Sequence, residues 1–333
     1  MSKPKATVAS AMPASLHASR PSRANRAFAG LSAGSATIIL VVLAAVATFL
    51  LIEAWPALTG PESIDEHVSW IDAEKGQSLL QIIAYLIFGT LLVSAIALVI
   101  ATPLAVGIAL FISHYAPRRL AAGLGYLIDL LAAIPSVVYG LWGASVLVPA
   151  LRPFFTWLTD NLGWIPLFAP DPVTGVASPT GRVALAAGIV LAIMIIPIIS
   201  AVSREVFLQT PKLHEEAALA VGATRWEMIR MAVFPFARSG VIGATMLGLG
   251  RALGETMAVY MILSGGLSFS WGVLQSGKHE TIAAYIASQF PEANSWGVSA
   301  LIAMGLALFI ITLLVNMLAR WIVSRRAEFS GAN

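Results

Sequence analysis

Six stretches of about twenty or more mostly apolar residues recur along this 333-residue chain, at roughly 34–56, 79–113, 120–151, 182–203, 238–265 and 297–322. A helix must offer about 20 such residues to cross a bilayer. Within lipid it must also satisfy its own backbone N–H and C=O groups. The sequence therefore predicts an all-α polytopic membrane protein with about six transmembrane helices. Composition argues against a soluble fold. Apolar residues make up 58% of the chain and charged residues 11%, against about 25% charged in soluble domains. Stretches two and three exceed thirty residues, which implies tilt or projection beyond the lipid. Pro103, Pro135 and Pro197 fall inside stretches two, three and four, where the missing N–H kinks a helix.

Charge sets the expected orientation. Fifteen of the twenty Lys and Arg lie in the N-terminal tail, in residues 114–119, in residues 204–238 and at the C-terminal end. Lys75, Arg152, Arg182 and Lys278 lie on the other side, and Arg251 lies inside the fifth stretch. The basic side is expected to be cytosolic, with both termini there, in the plasma membrane of a bacterium. Glu53, Glu62, Asp65, Glu66, Asp72 and Glu74 crowd the opposite side. Trp55, Trp271, Trp296 and Trp321 stand near span ends, as an interfacial aromatic belt does.

Residues 1–33 are rich in Ala, Ser and Pro and carry basic residues but no acid. They read as a disordered cytosolic tail. The apolar run from Ala36 to Ile52 that follows is too long for the core of a signal peptide. Residues 34–324 form the membrane domain and 325–333 a cytosolic C-tail. The chain has no cysteine, which excludes disulfides and thiolate metal sites. His17, His67, His114, His214 and His279 are scattered, so no metal is expected. Asp129 has no obvious local partner. It either pairs with a neighbouring helix or lies near the membrane surface.

The loop at 204–238 is the most informative polar segment. Thr210-Pro211 reads as an N-cap with proline at the first helical position. The helix continues through Glu215, Glu216, Ala217 and Ala218 and stops at Gly222. Thr224 and Glu227 form a capping box that starts a second helix, which runs to Pro235. Two stiff helices joined by a tight turn suit a push from another protein, although a capped connecting loop has the same local chemistry. DNA binding is rejected: the unit is short, acidic and tethered to lipid at both ends, and no nucleic-acid partner is expected. The chain also lacks the G-x-x-x-x-G-K-[ST] phosphate loop, so no cofactor is expected in it.

Glu216-Ala217-Ala218, Gly222 and Pro235 resemble the EAA loop of ABC importer permeases, with the same spacing throughout. Ala232 and Phe234 depart from the Ile and Leu usual in that pattern. The resemblance implies a type I ABC importer permease fold. It also implies a coupling role toward an ATPase subunit for Glu215, Glu216, Ala217, Ala218 and Gly222.

Arg251 and Glu255 lie inside the fifth stretch. At a spacing of four they are expected to share one helical face. A charge at mid-bilayer costs roughly 2.5–3.5 kcal/mol on insertion scales, so the two need each other, a water-filled path, or both. Gly250 and Gly254 form a G-x-x-x-G pattern that permits close helix approach. An arginine fork suits a tetrahedral oxyanion. A carboxylate beside it accepts a hydrogen bond from a protonated anion such as hydrogen phosphate, which sulfate cannot offer. The alternative is an ion pair that only sets packing.

Ile134-Pro135-Ser136-Val137-Val138-Tyr139-Gly140 and Gly250-Arg251-Ala252-Leu253-Gly254-Glu255-Thr256 resemble the phosphate-specific (Pst) permease family, more closely its PstC-type members, over roughly residues 80–324. That resemblance implies phosphate translocation, with Arg251 and Glu255 on the path. It further implies a PstA-type second permease subunit, a PstB-type ATP-binding dimer and an extracytoplasmic PstS-type phosphate-binding protein, all around a chain embedded in lipid that catalyses no bond chemistry. A permease for another solute and an ion-coupled secondary carrier are the rival readings.

Overall fold

A computed structural model describes residues 23–60, 68, 70–71, 77–172 and 174–327, with side chains from 27 to 322. Residues 1–22, the acidic residues 62, 65, 66, 72 and 74 and residues 328–333 lie outside the described residues. Every regular element among the described residues is helical. Six helices are long and apolar enough to span a membrane: Ala27–Thr59, Leu79–Tyr115, Ser136–Leu162, Ala184–Leu208, Arg225–Leu253 and Ser295–Ile322. The chain divides into two units, Met1–Phe49 and Leu50–Asn333.

The first helix, α1 (Arg23–Thr59), starts at Arg23, inside the segment expected to be a tail. The next is α2 (Leu79–Leu110), whose Ser78 cap accepts from Gln81 N; it widens into a π-turn at Phe111–Tyr115. The third predicted span proves to be two helices. A short amphipathic helix, α3 (Arg118–Ala132), precedes Pro135, and α4 (Ser136–Trp142) follows it. Proline has no N–H to continue α3, and it disfavours helical geometry at the residue before it. At about 1.5 Å per residue, the 15 residues of α3 reach about 22 Å, short of a bilayer core. The crossing is made instead by α4, a π-turn at Gly143–Leu147 and α5 (Val148–Leu162). Pro103 and Pro197, by contrast, sit inside unbroken helices.

The core is built on α6 (Ala184–Leu208), which packs most extensively on α2. Four fully buried alanines, Ala97, Ala101, Ala105 and Ala109, stand at four-residue spacing along α2. Such a smooth stripe lets two backbones approach. The Ser200 hydroxyl crosses the seam to the Ala105 carbonyl at 3.2 Å. A Cβ on Gly188 would collide with the Ile96 side chain.

Beyond α6 come α7 (Lys212–Ala220), α8 (Arg225–Met228), α9 (Phe234–Leu253) and α10 (Met257–Ile262). They are followed by α11 (Ile282–Gln289) and α12 (Ser295–Ala327). Residues 263–281 fold back on themselves between α10 and α11, with Gly266 N bonded to the His279 carbonyl and Gly277 N to that of Ser264. This hairpin docks on α2. The Glu280 carbonyl abuts Gly89, its carboxylate abuts Gly265, and the Thr90 hydroxyl accepts from Ile282 N at 3.0 Å.

Burial pushes the Glu280 carboxyl from 4.5 up to about 7, against the opposing pull of the Thr281 backbone N–H. The folded chain therefore holds this proton more tightly than the unfolded one. The resulting stability is fully present below about pH 4.5 and is lost as pH rises through about 7. The shift corresponds to roughly 3 kcal/mol as an order of magnitude. Thermal unfolding in detergent is expected to shift to lower temperature between about pH 5 and about pH 8. Glu280→Gln should flatten that slope, and an unchanged slope in the variant would remove Glu280 as its source.

Candidate functional site

The fifth candidate span starts at Arg225 and ends at a helix break after Leu253. Its first turn, α8, opens with a complete capping box. Glu227 N donates to the Thr224 hydroxyl, and Thr224 N donates to the Glu227 carboxylate at 2.8 Å. A π-turn at Ile229–Val233 then passes the chain into α9. The second loop helix does not stop at Pro235, as the sequence suggested. Pro235 stands in the first turn of α9, directly after the π-turn that carries the helix past it.

Downstream, α9 ends at Leu253, with Gly254 as its C-cap. Arg251 and Glu255 therefore do not share a helical face. Arg251 sits in the last turn of α9, where the helix dipole favours a cation. Glu255 lies beyond the break, 8% exposed, and accepts from Ala258 N at 3.2 Å, capping α10. The ion pairs seen among the described residues are His114–Glu215, Arg204–Glu205 and Lys278–Asp171. Arg251 and Glu255 are not joined. Arg251 is partly buried. Gly250 meets open space, so the expected close helix approach is not made among the described residues.

The half-helix α10 is tied at both ends. Glu255 holds its N-terminus. Arg182 donates to the carbonyls of Met261 at 3.0 Å and Ile262 at 3.4 Å at its C-terminus. Each charge complements the dipole of α10. Its side packs tightly on α4, where a Cβ on Gly140 would lie 2.8 Å from the Ala258 Cα. The break thus presents a cation and a capped carboxylate on a rigid frame at membrane depth.

The first helix of the loop before this crossing is organised as the sequence proposed, with one shift: Pro211 itself, not Thr210, occupies the N-cap of α7. Gly222 adopts φ +87°. Gly222 N donates to Leu219 O and Ala223 N to Ala218 O, the paired bonds of a Schellman stop. Of the five loop residues, Glu215 and Ala218 face inward. Glu215 lies 3.7 Å from His114 Nε2 at the end of the second crossing, and Ala218 packs on the cluster around Phe207 and Ile229. Glu216, Ala217 and Gly222 are exposed. So are Leu213 and Val221, at 73% and 83%, an apolar display that a solvated loop would avoid.

The family described as "Binding-protein-dependent transport system inner membrane component" matches residues 101–328. This chain belongs to that family. Among its relatives is the "Phosphate transport system permease protein PstC 2" of Mycobacterium bovis, 45% identical over 315 residues, 93% of this chain and 95% of that one. The "Phosphate transport system permease protein PstC" of Haemophilus influenzae is 39% identical over 303 residues, 89% of this chain and 92% of the relative. A solved chain of the MetNI methionine ABC transporter in an inward-facing form shares the fold, with a TM-score of 0.51 at 16% identity. That match covers 72% of this chain and 95% of the solved one.

In this inner membrane component, two tertiary contacts had no sequence signal. The Arg182 clamp spans 79 and 80 residues of chain. The His114–Glu215 approach is likewise tertiary. The exposed Leu213 and Val221 did have one: large apolar residues on a short helix outside the lipid.

Proposed function

We propose that this chain is the permease subunit that carries inorganic phosphate inward across the bacterial plasma membrane in an ATP-driven importer. The observation that carries this reading is Arg251, a cation with no ion-pair partner among the described residues, in the last turn before the break that ends a crossing helix. The near full-length likeness to permeases named for phosphate transport supports the substrate. As a component of a transport system it is a permease and not an enzyme.

The Arg251 fork offers paired, charge-assisted bonds to a phosphate oxygen edge. One oxygen of Glu255 is engaged by α10, and the other accepts the proton of hydrogen phosphate. Sulfate has no proton to give and meets a bare negative charge. ATP is bound by a separate PstB-type dimer that meets Glu216, Ala217, Leu213, Val221 and the Gly222 turn. A PstA-type subunit completes the path, and a PstS-type protein delivers phosphate outside. The basic side, with both termini and α7, faces the cytosol.

Glu255→Gln tests the discrimination. Glutamine retains an oxygen to cap α10 but removes the charge. The preference for phosphate over sulfate in uptake competition is expected to fall about ten-fold, the worth of one charge-assisted bond. An unchanged preference would take Glu255 off the path.

A further inference from the structure

The second crossing and α3 enclose an apolar groove of about 570 Å³. Pro103, Gly107 and Phe111 form one wall, and Leu124, Leu127 and Leu131 the other. The walls meet at the turn Ala116-Pro117, directly followed by Arg118 and Arg119. Both arginines are exposed, and neither belongs to an ion pair seen among the described residues. They also occupy the first turn of α3, where no acidic residue offsets them and Pro117 supplies no side-chain cap. The helix dipole opposes cations there.

We propose that the groove and its two arginines form a binding site for an anionic membrane phospholipid, with an acyl chain between α2 and α3 and the phosphodiester headgroup on Arg118 and Arg119. Basic residues beside a transmembrane helix attract anionic headgroups at about 1 kcal/mol each. The residues lining the groove are all apolar, as an acyl chain requires. The site lies on the α7 side of the membrane, because the same second crossing carries His114 against Glu215. Naming that side the inner leaflet rests on the orientation proposed above. A lipid here would wedge α3 against the second crossing beside the loop that meets the ATPase.

The test uses the full chain with its co-purifying subunits in phosphatidylcholine nanodiscs. The discs carry either photoreactive phosphatidylglycerol or photoreactive phosphatidylcholine, with the reactive group on the acyl chain, and adducts are mapped by peptide mass spectrometry. Phosphatidylglycerol adducts should concentrate on residues 103–112 and 124–131 and exceed those of phosphatidylcholine. Arg118→Gln and Arg119→Gln should each weaken phosphatidylglycerol labelling about five-fold. Gly107→Phe should remove adducts there and spare labelling elsewhere, since a Cβ at Gly107 meets nothing within 4 Å. Equal labelling by both lipids, or labelling indifferent to all three substitutions, overturns the site. Cross-linking of a single cysteine at Leu127, in a chain that has none of its own, to another permease subunit would also overturn it. No readout depends on transport, so loss of the phosphate reading would leave this result intact.

Discussion

Arg251→Ala is expected to lower phosphate uptake by about two orders of magnitude while the complex still assembles and hydrolyses ATP. Arg251 makes little structure of its own. It is partly buried and in none of the ion pairs seen, and its favourable place at the end of α9 is worth about 0.3–1 kcal/mol. Its worth to an anion is larger. A hydrogen bond to a charged group contributes about 1.5–3 kcal/mol, or roughly 10- to 160-fold, so losing a two-pronged contact reaches about two orders of magnitude. Arg251→Lys separates charge from geometry. It retains the cation without the planar fork and should fall between wild type and alanine. Uptake kinetics in proteoliposomes, with melting temperature as the control for folding, give the answer. Near-normal uptake by the alanine variant would place the solute path elsewhere.

Gly222→Val should uncouple the machine by another route, lowering ATP-driven uptake about ten-fold without touching the path. The Gly222 backbone lies at φ +87°, a region that costs an L-residue about 1–2 kcal/mol and a β-branched one more. Nothing stands within 4 Å of its missing Cβ, so the defect is the angle between α7 and α8 and not a clash. Relaxing that strain would open the Schellman stop and swing Glu216 and Ala217 away from their present display. Asparagine tolerates the left-handed region, and Gly222→Asn should recover most of the loss. If valine couples ATP hydrolysis to uptake as well as glycine does, the turn transmits no force.

Much of this architecture was legible because hydropathy and capping are local. Six crossings follow from the energetics of apolar length. The Thr224–Glu227 box and the Gly222 stop follow from donors that must be satisfied within one turn. What failed depended on context. Apolar content cannot distinguish one long helix from two meeting at a proline, so the third crossing was placed too early. Pro103 and Pro197 remain inside their helices while Pro135 divides two, and composition does not separate these cases. Gly254 read as a packing glycine when it serves as a C-cap, and that error put Arg251 and Glu255 on a common face. The Arg182 clamp and the His114–Glu215 approach join residues far apart in sequence, which no local rule reaches.

Radiolabelled phosphate uptake into proteoliposomes holding this chain and its co-purifying subunits, with ATP enclosed or omitted and sulfate in excess, tests the account most directly. Uptake that requires ATP, survives sulfate and collapses in Arg251→Ala is the expected result. Uptake that proceeds without ATP on a proton or sodium gradient, or no phosphate uptake under any condition, would contradict it.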